Sequence, residues 1–403
     1  MKGRLLVALF FLAVATASAQ KQEMPKMLLM DMDMMVQATR AVNDMYNFKF
    51  EKAETEFRWF QLKYPNHPLP YFLLGLSEWW KIVPNIDNQQ YDGKFLAYMD
   101  TVINLSEGLY EANEKNIEAS FFLAAAYGFK GRLHSERKDW RKAAVASKQS
   151  LNYLDKSKGY EELSPEFLFG DALYNYYRDW VPENYPSLKT ILWLFPKGDK
   201  SLGIKQLQEV ANNAFYTRTE AQYFLMRIYS DENQPIKAYQ LCKYLHETFP
   251  DNSYFHRYYA RLAFMQGRFE DVEQVSLDIL DKLENRRLPG YEVTSGRYAS
   301  YYLGYVYGNT HSDVEKAKTY YKRAVAYSEQ AKAYDSGYYW GALAALGRLY
   351  DREENVDEAR KYYEVLLERA ERKSDHYKEA KQYLSRHKEK RRKRERTQAL
   401  RNE

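Results

Sequence analysis

Residues 342–370, ALAALGRLYDREENVDEARKYYEVLLERA, hold two helical patterns separated by the polar stretch DREENVD at 351–357. Before the break Leu346 and Tyr350 stand four residues apart, and after it Ala359, Tyr363 and Leu366 follow at intervals of four and three, so each set shares one helix face. The small residues Gly347 and Ala359 let two antiparallel backbones approach, while Tyr350, Tyr363 and Leu366 fill the seam to the next pair. Such a pair cannot bury its apolar face alone, so the pattern predicts further copies stacked beside it.

The copies are present upstream. FLMRIYSDENQPIKAYQLCKYLHETFP places Leu225, Tyr229, Ala238, Cys242, Leu245 and Pro250 at matching offsets, with Met226 at the small position. YYARLAFMQGRFEDVEQVSLDIL supplies Tyr259, Ala260, Ala263, Val272 and Ile279, and Ala238 to Val272 is one period of 34 residues. YLGYVYGNTHSDVEKAKTYYKRA adds Leu303, Gly304, Tyr307, Ala317, Tyr321 and Ala324, and FKFEKAETEFRWFQLKYP adds Ala53, Phe57, Phe60 and Pro65. A looser copy has Ala125, Tyr127, Trp140 and Ala143. The junctions YPNHPLPYF and FPDNSYF each end a helix at an aromatic-Pro pair and start the next, with Ser253 as an expected cap.

These tandem seams resemble the tetratricopeptide repeat, a 34-residue pair of antiparallel helices. The resemblance covers residues 225–370 and 47–75 and implies an all-α solenoid, a superhelix of antiparallel helix pairs, with longer irregular helices in the middle. Composition agrees: 38 Tyr with only 12 Pro and 18 Gly in 403 residues suits helices packed through large rings and ill suits a turn-rich β fold. The central segment SPEFLFGDALYNYYRDWVPENYPSLKTILWLFPKGDKSLGIKQL is similar to that of the eukaryotic inclusion-body clearance and mitochondrial outer-membrane tetratricopeptide family. That likeness implies a shared order of helices, not a shared role.

Lys2 and Arg4, the apolar run Leu5 to Ala15 and the small-residue site Ala17-Ser18-Ala19 read as a cleavable secretory signal of the Gram-negative envelope kind. The expected location is therefore exported, periplasmic before extracellular. No second apolar run of membrane length follows, and the lone Cys242 can form no intrachain disulfide. The predicted division is a signal at 1–19, an N-terminal repeat-like half at 20–215, a C-terminal array at 216–375 and a basic tail at 376–403. Nine Lys or Arg against three Glu from 386 to 403 confine the basicity to that tail.

Few features suggest chemistry. Gly198-Asp199-Lys200-Ser201 looks like half a phosphate loop, but Leu194 stands where the loop needs Gly, Asp199 would repel phosphate, and no strand feeds it. The bland reading ends one helix with a left-handed turn at Gly198 and caps the next with Asp199. The seven His form no i, i+4 pair and no Gly-x-Ser-x-Gly elbow occurs, so neither a zinc hydrolase nor a serine hydrolase is indicated and no cofactor is implied. Cys242 reads as a small core hydrophobe. Six methionines between 24 and 35 are soft enough for Cu(I), yet Met27, Met30 and Met34 share a face with Ala38 as a capping helix would.

The tetratricopeptide resemblance implies a concave groove lined by the first helix of each pair. Its register assigns Tyr223, Arg227, Arg257, Arg261, Tyr301, Tyr305 and Arg348, with Ala344, to that groove. A ladder of Arg and Tyr suits an acidic or aromatic peptide, because Arg pairs with carboxylates and Tyr gives rigid contact area; the alternative is that these Arg pair with Glu on neighbouring helices. Tyr176, Tyr177, Arg178, Asp179 and Trp180 form a second cluster. The expected protein is a non-enzymatic scaffold for a protein or peptide, with no nucleic-acid role and the tail available to an anionic membrane surface. Two rivals are an envelope accessory with a Met-borne metal site and an enzyme with a closed pocket, holding a shifted acid or base, around Tyr176 to Trp180.

Overall fold

The computed structural model describes residues 27–160, 162–193 and 195–399; the signal-like segment and Met24 lie outside the described residues, as do the side chains beyond 389. Eight helix pairs and a final helix follow one another with no strand among the described residues. The first three pairs are α1 (Met32–Tyr46) with α2 (Phe50–Lys63), α3 (Pro68–Ile82) with α4 (Asp92–Ala112), and α5 (Ile117–Glu136) with α6 (Trp140–Lys156). The fourth joins α7 (Leu168–Asn184) to α9 (Lys200–Asn213) through the short α8 (Lys189–Leu192). Then come α10 (Arg218–Asp231) with α11 (Pro235–Thr248), α12 (Ser253–Met265) with α13 (Phe269–Glu284), α14 (Val293–Asn309) with α15 (Val314–Gln330), and α16 (Gly337–Arg352) with α17 (Val356–Arg369). The helix α18 (Asp375–Ala399) closes the array.

The seam is built as the spacing predicts. Ala53, Phe57, Ala238, Cys242, Val272, Ile279, Ala317 and Ala359 are fully buried, and a Cβ at Gly347 would stand 2.7 Å from the Tyr363 ring. Within the pairs a repeated device turns the chain: Phe48, Lys138, Asn233, Gly267, Ser312 and Glu354 all adopt a left-handed backbone two residues before the second helix. Five of the six are not glycine, so the register forces a conformation that an L side chain pays for with about 1–2 kcal/mol.

Four local expectations change. Gly198 is not left-handed; a Cβ there would come within 2.6 Å of the Asn175 carbonyl, so glycine serves close approach to α7, while Asp199 does cap α9 by accepting from Leu202 N at 3.0 Å. Asn252, not Ser253, caps α12, accepting from Tyr254 N and Phe255 N. Asp31 caps α1 by accepting from Met34 N at 2.8 Å, which leaves Met27 and Met30 ahead of the helix while Met34 and Ala38 share its buried face. Trp140 is no seam residue; it is 43% exposed at the start of α6.

The superhelix turns tightly enough to meet itself. Trp80 of α3 packs its ring against Tyr46, Tyr223 and Phe255 at centroid distances of 5.3, 5.5 and 5.4 Å. Asn252 donates to the Tyr46 carbonyl at 2.7 Å, Arg257 to the Pro84 carbonyl at 2.5 Å and Asn85 to Glu292 at 2.8 Å. The first two pairs thus fill part of the concave face offered by α10 and α12. One core runs from Leu28 to Val306, with residue 216 inside it, and a second from Ala317 to Tyr383.

Candidate functional site

Closure divides the concave face into a half-open cavity and an open strip. The cavity, of about 600 Å³, lies among α3, α5, α6, α7 and α10. It exists because α6 meets α7 near their joined ends, where Leu154 lies against Gly170, and then diverges from it. Phe72, Leu73, Phe122, Leu154, Phe167 and Phe169 belong to its buried apolar wall, and the exposed side chains Glu136, Trp140 and Tyr185 mark its mouth.

Polar groups converge on the α5 and α10 side of this wall. Glu220 is 2% exposed; its Oε1 accepts from Trp80 Nε1 at 2.6 Å and from Tyr46 at 3.4 Å, and its Oε2 has no partner among the described residues. Complete burial pushes its carboxyl above the usual carboxylate range, against the pull of Arg132 and of the two donated hydrogen bonds. The Arg132 guanidinium carbon lies over two rings, 4.5 Å from the Trp79 centroid and 4.8 Å from that of Phe224. It donates to the Tyr223 hydroxyl at 2.9 Å, and Arg227 donates to the same oxygen at 3.0 Å. Burial would raise that phenol, yet Arg227 and Arg132 together bring it below its ordinary value.

Of the seven groove residues expected from the register, Tyr223, Arg227 and Arg257 are therefore committed inside the closure, with Arg257 also donating to Ser295 at 3.0 Å. Arg348 pairs with Glu379 of α18 at 2.8 Å and ties the last helix down, and Ala344 is buried in the second core. Arg261, Tyr301 and Tyr305 stand on the open strip. There Arg261 is exposed over the Tyr258 ring at 5.8 Å, and Arg297 lies 5.0 Å from Tyr298. Tyr338 joins the strip, 4.5 Å from Tyr298 and 5.1 Å from Tyr301. Neither Arg261 nor Arg297 forms an ion pair among the described residues, and Arg297 Nε is buried with no partner.

The central cluster divides likewise. Tyr177, Arg178 and Trp180 line the cavity, whereas Tyr176 is buried with its hydroxyl donating to Glu232 at 2.9 Å and Asp179 stands outside the wall. Arg132, Tyr216, Glu220, Arg297 and Tyr338 were not singled out in the sequence. Glu220 stands seven residues before Arg227, on the same helix face, so one more step along the register reaches it. Nothing comparable marks Tyr216, which sits in the turn before α10.

Among the described residues no cluster of three or more His, Cys, Asp or Glu is placed to hold a metal, and no helix is long and apolar enough to cross a membrane. Cys242 is fully buried with its thiol pushed up by burial. Met34 lies in the core and Met32 is 69% exposed, so the described methionines of the N-terminal segment diverge. Of the basic tail, Arg386 and Lys388 are described and exposed.

No protein-family model matches the chain, and no curated protein does. Solved structures do. The chain is similar to the human IFIT1 dimer with PPP-AAAA at 15% identity, covering 80% of this chain and 69% of that one with a TM-score of 0.37. It is similar to yeast Tom70 at 11% identity, covering 89% and 96% with a TM-score of 0.28, and to the P58(IPK) TPR domain at 12%, covering 88% and 99% with a TM-score of 0.23. Superpositions of that quality leave the site to be read from this chain's own residues.

Proposed function

We infer that this protein is an exported, non-enzymatic scaffold that holds an acidic, aromatic-containing protein segment on the open strip of α12, α14 and α16. The observation that carries the reading is the pair Arg261 and Arg297, two guanidinium groups set among Tyr258, Tyr298, Tyr301 and Tyr338 that form no ion pair among the described residues, with Asp231 the one carboxylate whose charge Arg261 offsets from a distance. Arg pairs with carboxylates in two-pronged fashion, and rigid tyrosines supply contact area at small entropic cost, so such a strip favours Glu, Asp and aromatic side chains.

The test uses a fluorescein-labelled decapeptide of alternating Glu and Tyr and its Gln-Tyr counterpart. The Glu peptide binds the wild type, and Arg261→Glu with Arg297→Glu weakens it at least tenfold, about 1.4 kcal/mol. Equal affinity for both peptides, or no loss in the double variant, removes the strip as the binding face. Export is checked separately: the mature chain recovered from envelopes begins at Gln20, and an uncut chain in the cytosol refutes it.

A further inference from the structure

The cavity concentrates unmet polar demand. Arg132 Nη1, Arg178 Nε, Tyr216 Oη and Glu220 Oε2 are all buried without a hydrogen-bond partner among the described residues, and all four residues line the cavity. A buried polar group left unpaired is destabilising, and such groups are ordinarily satisfied by water or a ligand. Here they meet a space of about 600 Å³ whose remaining surface is mostly Phe and Leu, within the size range of small-molecule sites. Three arginines and two glutamates line the space. Arg132, Arg178 and Arg227 contribute to the wall and make no ion pair among the described residues. Arg132 and Arg227 both donate to the same Tyr223 hydroxyl, and Arg178 donates to the Phe195 carbonyl, so each retains its full charge.

We propose that this cavity binds an amphipathic carboxylate, with the apolar body of the ligand against Phe72, Phe122, Phe167 and Leu73 and its carboxylate at Arg132. A single carboxylate suits the donors better than a phosphate group. The free donors are few, and Glu220 and Glu136 share the wall, so a doubly charged head with three terminal oxygens meets repulsion where one carboxylate finds a guanidinium. The apolar part is selected by the hydrophobic wall, each buried methylene adding to the affinity. The splayed α6 and α7 supply the way in, past Trp140 and Tyr185. This site is separate from the peptide strip and uses none of its residues.

The experiment is isothermal titration of the full chain with decanoate, butyrate, 1-decanol and decyl phosphate. Decanoate binds; butyrate, which lacks the body, and decanol, which lacks the charge, bind at least tenfold more weakly. Arg132→Met lowers decanoate affinity at least tenfold and leaves decanol unchanged. Ala125→Phe, which fills the cavity, abolishes both with an unaltered circular dichroism spectrum. If Arg132→Met does not fold, Arg178→Met carries the same headgroup comparison from α7. Absence of decanoate binding, equal binding of decanol, tighter binding of decyl phosphate, or wild-type affinity in Ala125→Phe each overturns the assignment.

Discussion

Replacing Gly203 by alanine tests the reading of the central segment most directly. Gly203 sits where α9 crosses α7, and a Cβ there would stand 2.7 Å from both the Ala172 carbonyl oxygen and the Tyr176 nitrogen, and 3.1 Å from Tyr176 Cβ. The two nearest atoms are backbone, so no rotamer change relieves them and the helices must separate by several tenths of an ångström. Overpacking that forces backbone shifts costs about 1–3 kcal/mol, and a clash with two backbone atoms belongs at the upper end. Alanine also improves the helix itself by about 1 kcal/mol over glycine. The clash wins: Gly203→Ala destabilises by about 1–2 kcal/mol. Gly108, exposed on α4, is the control, since its Cβ would meet nothing within 4 Å; Gly108→Ala keeps the propensity gain and stabilises by up to about 1 kcal/mol. The assay is a urea titration by circular dichroism together with hydrogen exchange across α7 and α9, because a multi-pair array need not unfold in two states. A Gly203→Ala midpoint at or above that of the wild type, with unchanged exchange in α7, refutes the close crossing.

Glu166, 1% exposed, accepts from the backbone of Phe215, Tyr216 and Thr217 at 2.6, 2.8 and 3.0 Å and from the Thr217 hydroxyl at 2.6 Å. Glu166→Ala strands these donors and lowers stability by about 2–4 kcal/mol in chemical denaturation, and Glu166→Gln recovers part of the loss. Burial, with Lys282 adding to it, lowers His246 to about 4, and burial with His246 and Lys282 nearby lowers His256, whose ring stacks on that of His246 at 4.5 Å. Unfolded histidines bind protons first, so stability is full above about pH 6.5 and falls as the pH drops toward 4; a urea series over that range shows the slope, and His246→Phe flattens it. Hydrogen exchange finds α15 to α18 opening at lower free energy than α1 to α13, and equal protection across both refutes the separation of the two cores.

Much of the fold was legible because its information is local. Ala238, Val272, Ala317 and Ala359 advertise the close helix contact by their size and spacing, and each is buried where the period puts it. The turns were hidden, since left-handed backbone at Phe48, Lys138 and Glu354 is imposed by the pairing of helices and leaves no glycine to read. The site was half legible. Tyr177, Arg178 and Trp180 stood out as an aromatic-charged cluster, and they do line a cavity, but Arg132 and Glu220 reach it from α5 and α10, far away in sequence. Register identified which face of α10 and α12 looks inward; it could not tell that Tyr223 and Arg257 would be covered, because coverage depends on superhelical pitch.

That pitch is where this chain departs from a one-dimensional array. A repeat protein in which each pair touches only its neighbours has a stability that sums over pairs and interfaces, and it exposes its whole concave face. Here Trp80 donates to Glu220 across 140 residues and Asn252 to Tyr46 across 206, so the first two pairs cannot leave without stripping partners from α10 and α12. Those contacts pair buried polar groups that would each cost about 1–3 kcal/mol if orphaned, which couples distant pairs into one cooperative unit. The same closure that fixes the unit also sets where a ligand can go. With Trp80 and Tyr46 occupying the inner face of α10, what is left of the concave surface is a cavity where α6 and α7 diverge and a strip beyond α12, and a variant that removes Trp80 would reopen the face between them.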